Sequence, residues 1–172
     1  KKMGKKTIFN LLGPLTNPAD APKQAIGVFD SKWVIPVAEA LQKLGTERAL
    51  IFHSYDGLDE ISIADKTYMA ELRNNKISEL EIDPKQFDLN YENLDALKVK
   101  SPNESYEKVR ETLKGNFDEG EAIVKLNAAA VIYSSGMKKS IEEGFLLAEE
   151  AIKNGSGFKK LKDLVSLSNE LA

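Results

Sequence analysis

The sequence predicts an α/β protein: a βαβ core of a mostly parallel sheet, an added antiparallel hairpin and a helical C-terminal half. Two short apolar runs, at 25–29 and 49–52, flank a segment whose apolar residues fall at helical spacing. Two alternating runs meet at Asn74-Asn75, which is typical of a hairpin. From Asn103 onward, glycines separate segments with helical patterns.

The first predicted element is a short helix from Thr7 to Leu12, with Thr7 as its N-cap and Gly13-Pro14 at its end. A loop punctuated by prolines follows at 15–22. The chain opens on a basic stretch without an initiator methionine and enters this apolar segment almost at once. Two explanations stay open, a cut inside a domain and an ordinary N-terminal helix behind a basic leader.

The βαβ unit comes next. Residues 25–29 are too short and apolar for anything but a buried strand, and Asp30 or Ser31 then caps a helix over 32–44. A second buried strand is predicted over 48–52. Because the connections are short, the two strands should be parallel neighbours joined by a right-handed crossover.

The hairpin is predicted from alternation over 61–72 and over 76–82, with the turn at Asn74-Asn75. It would add antiparallel strands to the parallel core. Asp83-Pro84 ends the second strand, and the polar region 87–101 should form turns with a short helix.

Four helices are predicted in the C-terminal half, over 105–114, 121–134, 140–154 and 159–171. The segment 122–133 is apolar nearly all round, which indicates a buried central helix. Asn127 lies within it, and a buried amide must find hydrogen-bond partners. A structural role, tying two loops together, is favoured over a ligand contact.

Composition excludes several classes of function. The 172 residues suit one domain, and 42% hydrophobic content is enough for a core. Twenty-four basic and 27 acidic residues leave a net charge of −3, so no basic field attracts nucleic acid. The absence of cysteine excludes disulfides and thiol chemistry and fits a reducing cytosol. No apolar run approaches the roughly 18 residues that span a membrane. We therefore expect a cytoplasmic protein without nucleic-acid or membrane partners.

Carboxylates crowd the turn at 53–60, which follows the second strand and contains Asp56, Asp59 and Glu60. Adjacent carboxylates at a strand end can hold Mg²⁺, which takes one or two protein carboxylates beside substrate phosphates. A solvated turn is the commoner explanation from residue chemistry alone, because Asp, Gly and Glu are ordinary turn residues. His53, the only histidine, suits either a general base or a hydrogen-bonded structural group.

A second dense motif runs from Gly13 to Pro18, and its glycine and prolines fix the backbone. It can be a rigid pocket wall or simply a tight loop that ends a helix. Neither G-x-G-x-x-G nor G-x-x-x-x-G-K-[ST] occurs in the sequence, so the common phosphate-binding loops are missing.

Taken together, the two motifs resemble those of anthranilate phosphoribosyltransferases. The resemblance covers T-I-F-N-L-L-G-P-L-T-N-P at 7–18, D-G-L-D-E at 56–60, L-N-A-A-A at 126–130 and the region 148–164. It implies transfer of a phosphoribosyl group from phosphoribosyl pyrophosphate to anthranilate in tryptophan biosynthesis, with no protein nucleophile. It also implies Mg²⁺ at Asp59 and Glu60, an anthranilate channel lined by the G-P-L segment with Gly13 and Pro14, and a homodimer for the full-length protein.

The same resemblance implies what the chain lacks. The family's helical N-terminal domain, its glycine-rich phosphate loop and its Lys-His-Gly-Asn segment precede everything here. Residues 1–172 are therefore expected to be the C-terminal part of the α/β domain and to be inactive alone. Two departures, Lys6 in place of a usual arginine and Ser54 in place of a usual glycine, leave the acceptor open.

The alternative is a non-catalytic relative that binds nucleic acid or protein. Such a relative should carry a basic surface, which the net charge of −3 disfavours. A salt-dependent DNA-binding assay would distinguish the two.

Overall fold

A computed structural model describes residues 13, 15, 16 and 18–171. Within these residues, four strands form one sheet in the order β1-β2-β3-β4. Their bounds are β1 Lys23–Gly27, β2 Arg48–Ser54, β3 Thr67–Arg73 and β4 Lys76–Ile82. The pair β1–β2 is parallel, whereas β2–β3 and β3–β4 are antiparallel. The predicted α/β class and the added antiparallel hairpin are confirmed, in a mixed sheet whose parallel pairing among the described strands is that of β1 with β2.

Helices make up much of the remaining described structure. The α-helices that follow β1 are α1 Val34–Lys43, α2 Pro102–Leu113, α3 Asp118–Ser135, α4 Ile141–Lys153 and α5 Ser156–Glu170. Short 3₁₀ helices occur at Ser31–Trp33, Pro84–Phe87 and Asp95–Leu97. The helix predicted at 7–12 lies outside the described residues. Within the part of the chain that the structure describes, no helix is both long and apolar enough to cross a membrane.

One face of the sheet is covered by α1. The Asp30 carboxylate caps the segment that leads into this helix by accepting a hydrogen bond from the Lys32 N–H at 3.1 Å, and Gly45, with a φ of 82°, ends it. The buried residues of this layer include Val34, Val37, Ala38 and Leu41 of α1, and Ala49 and Ile51 of β2. The predicted strand–helix–strand order with parallel strands is therefore confirmed.

The opposite face of the sheet is covered by α3 and α4. Leu50 and Phe52 of β2 point into this layer beside Leu126 and Ala129 of α3. The two helices approach so closely that a Cβ added to Gly144 of α4 would lie 2.7 Å from the Ala129 carbonyl oxygen. Since both faces are covered, six of the seven residues of β2 are buried, as a central strand requires.

The prediction that the segment 122–133 forms a buried central helix holds for one side of α3 and is wrong for the other. Val131 is 55% exposed and Val124 is 38% exposed, although Leu126, Ala129 and Ala130 are fully buried. The reason is that, in the described part of the chain, the sheet and the other helices pack against only one side of α3. The apolar composition of this segment therefore predicts more burial than the structure shows.

The hairpin turn lies where it was predicted, with Asn74 and Asn75 at φ values of 51° and 58°. The first hairpin strand, however, begins at Thr67 and not at Ile61. Residues 61–66 form a loop, and the alternation that suggested a strand arises because Ile61 and Ile63 are buried against the core. The end of β2 also differs, since the strand continues past Phe52 to Ser54.

Candidate metal and phosphate site

The acidic turn forms a loop over residues 55–66 that joins β2 to β3. Because β1 and β2 are parallel, their carboxyl ends meet at the edge of the sheet where this loop lies. The loop is closed at its base, where the Tyr55 N–H donates to the Lys66 carbonyl at 3.0 Å and the Ser54 hydroxyl donates to the same carbonyl at 3.2 Å. Side chains on this loop are therefore held at the sheet edge where α/β proteins bind ligands.

Asp59 and Glu60 lie side by side on this loop and are both exposed. Partial burial of the Glu60 carboxyl raises its pKa, and the negative charge of Asp59 adds to the effect. The residue as a whole stays accessible to solvent, so this desolvation is incomplete. A cation beside the pair would offset both the repulsion and the desolvation.

The donor set suits one type of ion. Two carboxylates offer hard oxygen ligands, and Mg²⁺ in proteins uses one or two carboxylates and keeps several waters. Among the described residues, no group of three or more acidic or histidine side chains could hold a metal. The pair therefore fits an ion whose remaining ligands come from water and a bound phosphate.

Gly27, the last residue of β1, lies directly against the backbone of Asp59. A Cβ added to Gly27 would lie 1.6 Å from the Asp59 carbonyl oxygen and 2.6 Å from its carbonyl carbon. Only glycine permits this approach, so Gly27 seats the Asp59 backbone on the end of β1. Our sequence predictions missed this residue, although a glycine inside a strand is a known sign of close backbone approach.

Asn127 of α3 fixes the loop on the other side of the carboxylates. Its side-chain oxygen accepts from the Ile61 N–H at 2.9 Å, and its amide nitrogen donates to the Ile61 carbonyl at 2.9 Å. The same nitrogen donates to the Ile123 carbonyl within α3 at 3.0 Å. The predicted structural tie is present, but it joins a helix to one loop and not two loops, because the residue lies in mid-helix.

Asp56 is used inside the loop. Its carboxylate accepts hydrogen bonds from the Ser62 hydroxyl and, at 3.3 Å, from the Leu58 N–H. The Ser62 hydroxyl in turn accepts from the Ala64 N–H at 3.0 Å. Both oxygens of Asp56 thus have partners within the loop, which separates this residue from the Asp59–Glu60 pair.

His53 is held by the neighbouring strand connection. Its Nδ1 lies 2.7 Å from the Val28 carbonyl oxygen. A carbonyl can only accept, so Nδ1 carries the proton and donates it, and in the neutral ring Nε2 is then the acceptor. This contact agrees with the structural alternative for His53.

The Gly13–Pro18 motif is only partly described. Pro14 lies outside the described residues, and a Cβ added to Gly13 would meet nothing within 4 Å among them. Leu15 lines a cavity together with Pro22 and Glu47, which precede β1 and β2. Leu15 therefore lies near the amino ends of β1 and β2, whereas the acidic loop follows the carboxyl end of β2.

Comparison of the sequence with models of known protein families identifies the family of this chain. The chain belongs to the glycosyl transferase family, a/b domain, whose model matches residues 1–158.

Its relatives include the anthranilate phosphoribosyltransferase of a Marinomonas species, 46% identical over 170 residues, which cover 98% of this chain and 49% of the relative. The enzyme of the same name from Teredinibacter turnerae is 42% identical over 173 residues, which cover 98% of this chain and 51% of that enzyme. The resemblance to anthranilate phosphoribosyltransferases is confirmed, and the chain spans about half the length of these relatives.

Solved structures agree. Anthranilate phosphoribosyltransferase from Thermus thermophilus superposes with a TM-score of 0.86 at 36% identity, over 96% of this chain and 49% of that one. The Saccharomyces cerevisiae enzyme in complex with PRPP and Mg superposes with a TM-score of 0.80 at 26% identity, over 92% of this chain and 46% of that one.

Proposed function

We propose that this protein transfers the phosphoribosyl group from phosphoribosyl pyrophosphate to anthranilate in tryptophan biosynthesis. One observation supports this most: Asp59 and Glu60 stand together at the carboxyl ends of parallel strands, with the Asp59 backbone seated on Gly27. The relative from yeast that binds PRPP and Mg has the same fold. An exposed carboxylate pair at this edge is suited to a metal-bound pyrophosphate.

Asp59 and Glu60 would hold Mg²⁺, and the ion would supply positive charge to the pyrophosphate as it leaves. The loop keeps the two carboxylates on one side of the sheet edge, where they orient whatever binds there. We assign no catalytic acid, base or nucleophile to this chain. We further propose that Gly13 and Pro14 line the anthranilate site, on the strength of their motif.

We propose that the 172-residue chain alone gives no product, because it spans only about half the length of its anthranilate phosphoribosyltransferase relatives. The partners would be phosphoribosyl pyrophosphate and anthranilate, with no nucleic acid. The full-length protein would be a cytoplasmic homodimer, and the lack of cysteine suits a reducing compartment.

The test is an activity assay on the gene product as its source organism makes it. Phosphoribosyl pyrophosphate, anthranilate and Mg²⁺ are supplied, and loss of anthranilate fluorescence is followed together with release of pyrophosphate. The double variant D59N/E60Q should lose activity by at least about a hundredfold, because it removes both anionic ligands.

The matched control is D118N/E119Q, which changes an Asp-Glu pair in the first turn of α3. It alters the charge by the same amount away from the loop, so its activity should stay within about threefold of the wild type. Equal activity in D59N/E60Q and the wild type would remove the pair from the site. Product formation by the 172-residue chain alone would refute the proposed inactivity.

A further inference from the structure

The contact between Asn127 and Ile61 involves both polar groups of one backbone residue. The Ile61 N–H donates to the Asn127 side-chain oxygen at 2.9 Å, and the Asn127 amide donates back to the Ile61 carbonyl at 2.9 Å. The amide pairs with this residue as a neighbouring strand would, so it fixes both the position and the direction of the backbone there.

The fixed residue follows Glu60 directly. Ile61 is fully buried in the same cluster as Leu126 and Ala129 of α3, whereas Asp59 and Glu60 are exposed. The boundary between core and solvent therefore falls between Glu60 and Ile61, and Asn127 is the α3 side chain that hydrogen-bonds to the backbone at this boundary.

The other side of the pair is fixed as well. The Asp59 carbonyl rests on Gly27, where a Cβ would approach within 1.6 Å. Two backbone positions, at Asp59 and at Ile61, are thus set by β1 and by α3. An extended chain advances about 3.3–3.6 Å per residue, so the fixed backbone positions at residues 59 and 61 are at most about 7 Å apart. Both carboxylates are carried by this short segment.

We infer that Asn127 is a positioning residue that holds Asp59 and Glu60 at the spacing that a shared metal ion requires. This inference rests on the proposed function, since it takes the pair to be the metal ligands. Two adjacent carboxylates repel each other and favour a more open loop, and the hydrogen bonds from α3 oppose that opening. The affinity of the acidic loop for a metal ion then depends on Asn127 of α3, although Asn127 is not itself a metal ligand.

The discriminating variant is Asn127→Asp, which keeps the shape of the side chain. It keeps an acceptor for the Ile61 N–H, but it loses the donor and sets a carboxylate against the Ile61 and Ile123 carbonyls. The matched control is Ala130→Gly, a fully buried position three residues further along α3. This control weakens the same helix without removing a hydrogen bond to the loop.

Two measurements on the whole 172-residue chain decide the matter. Mn²⁺, as a probe for Mg²⁺, is titrated and its free fraction is followed by electron paramagnetic resonance. Hydrogen exchange of the Ile61 amide is followed by NMR. We expect N127D to bind Mn²⁺ about tenfold more weakly than the wild type and to lose protection at Ile61, because losing a partner beyond the direct ligands costs about that much. We expect A130G to match the wild type in both after correction for global stability.

The outcomes separate the two proposals. Equal Mn²⁺ affinity in N127D and the wild type overturns the positioning role, as does an unprotected Ile61 amide in the wild type. Equal weakening in A130G and N127D also overturns it, because general loosening of α3 would then suffice. If D59N/E60Q binds Mn²⁺ as tightly as the wild type, Asp59 and Glu60 are not the metal ligands and the proposed function loses its main support. Hydrogen exchange at Ile61 would still test whether Asn127 fixes the backbone of the loop.

Discussion

Replacing Gly27 with alanine tests whether the contact between β1 and the acidic loop sets the site. The new Cβ would lie 1.6 Å from the Asp59 carbonyl oxygen, and ordinary contacts begin at 3.4 Å. The backbone of Asp59 must therefore retreat by about 1.8 Å, because the atom it meets is backbone and not the end of a flexible side chain.

Two effects follow from a shift of this size. Overpacking at a buried contact costs about 1–3 kcal/mol, so we expect the free energy of unfolding of G27A to fall by that amount in urea titrations. A ligand displaced by about 1 Å can cost about a hundredfold in function, so Mn²⁺ affinity at the loop should fall by at least tenfold.

Gly157→Ala is the matched control for this experiment. Its Cβ would meet Leu113 at 3.5 Å and the Ala151 carbonyl at 3.7 Å, which are ordinary contacts. The position lies in α5, where alanine is favoured over glycine by up to about 1 kcal/mol. G157A should therefore be neutral or stabilising. Unchanged stability and unchanged Mn²⁺ affinity in G27A would refute the claim that Gly27 sets the position of Asp59.

Two further predictions concern the loop. Because burial and the charge of Asp59 raise the pKa of Glu60 in the folded chain, the folded state binds this proton more tightly than the unfolded state, and ionised Glu60 costs stability at neutral pH. Without metal, E60Q should therefore melt at a higher temperature than the wild type at about pH 7. The difference in melting temperature should shrink by about pH 4, where Glu60 of the wild type becomes protonated. A lower melting temperature of E60Q at pH 7 would contradict this prediction. Ser62→Ala removes the hydroxyl that donates to Asp56 and accepts from the Ala64 N–H. The free energy of unfolding measured by urea titration should therefore fall by about 1–3 kcal/mol. An unchanged midpoint would show that these hydrogen bonds do not stabilise the fold.

Patterns along the sequence predicted most of the sheet because each strand carries its own local signal. The edge strand β4 was predicted with its observed bounds, since its alternation is bordered by the Asn74-Asn75 turn and by Pro84. The same signal failed at residues 61–66. There the alternation of Ile61 and Ile63 reflects burial under α3, while the backbone bonds go to side chains such as Asn127 and Thr67.

The candidate site was predicted only in part for a related reason. Asp59 and Glu60 are adjacent in the chain, so a local motif was enough to propose them as metal ligands. Gly27 and Asn127 are distant in sequence, and their contacts arise only when the sheet and α3 come together. A glycine in a strand and an asparagine in an apolar helix each indicate that a close contact or a hydrogen-bonded partner is needed, but neither indicates which distant residue provides it.

The closure of the acidic loop at its base has a consequence for engineering. Ser54 and Thr67 are paired across β2 and β3, and the Tyr55 N–H meets the Lys66 carbonyl just above them at 3.0 Å. The sheet therefore fixes the two ends of the loop, while Gly27 and Asn127 fix residues 59 and 61 between those ends. Since closure entropy grows slowly with loop length, residues can be added at 64–65, beyond the buried Ile63, without shifting the strand register. Variation of metal preference is therefore best confined to the exposed side chains of Asp59 and Glu60, while the length of the segment 59–63 is kept.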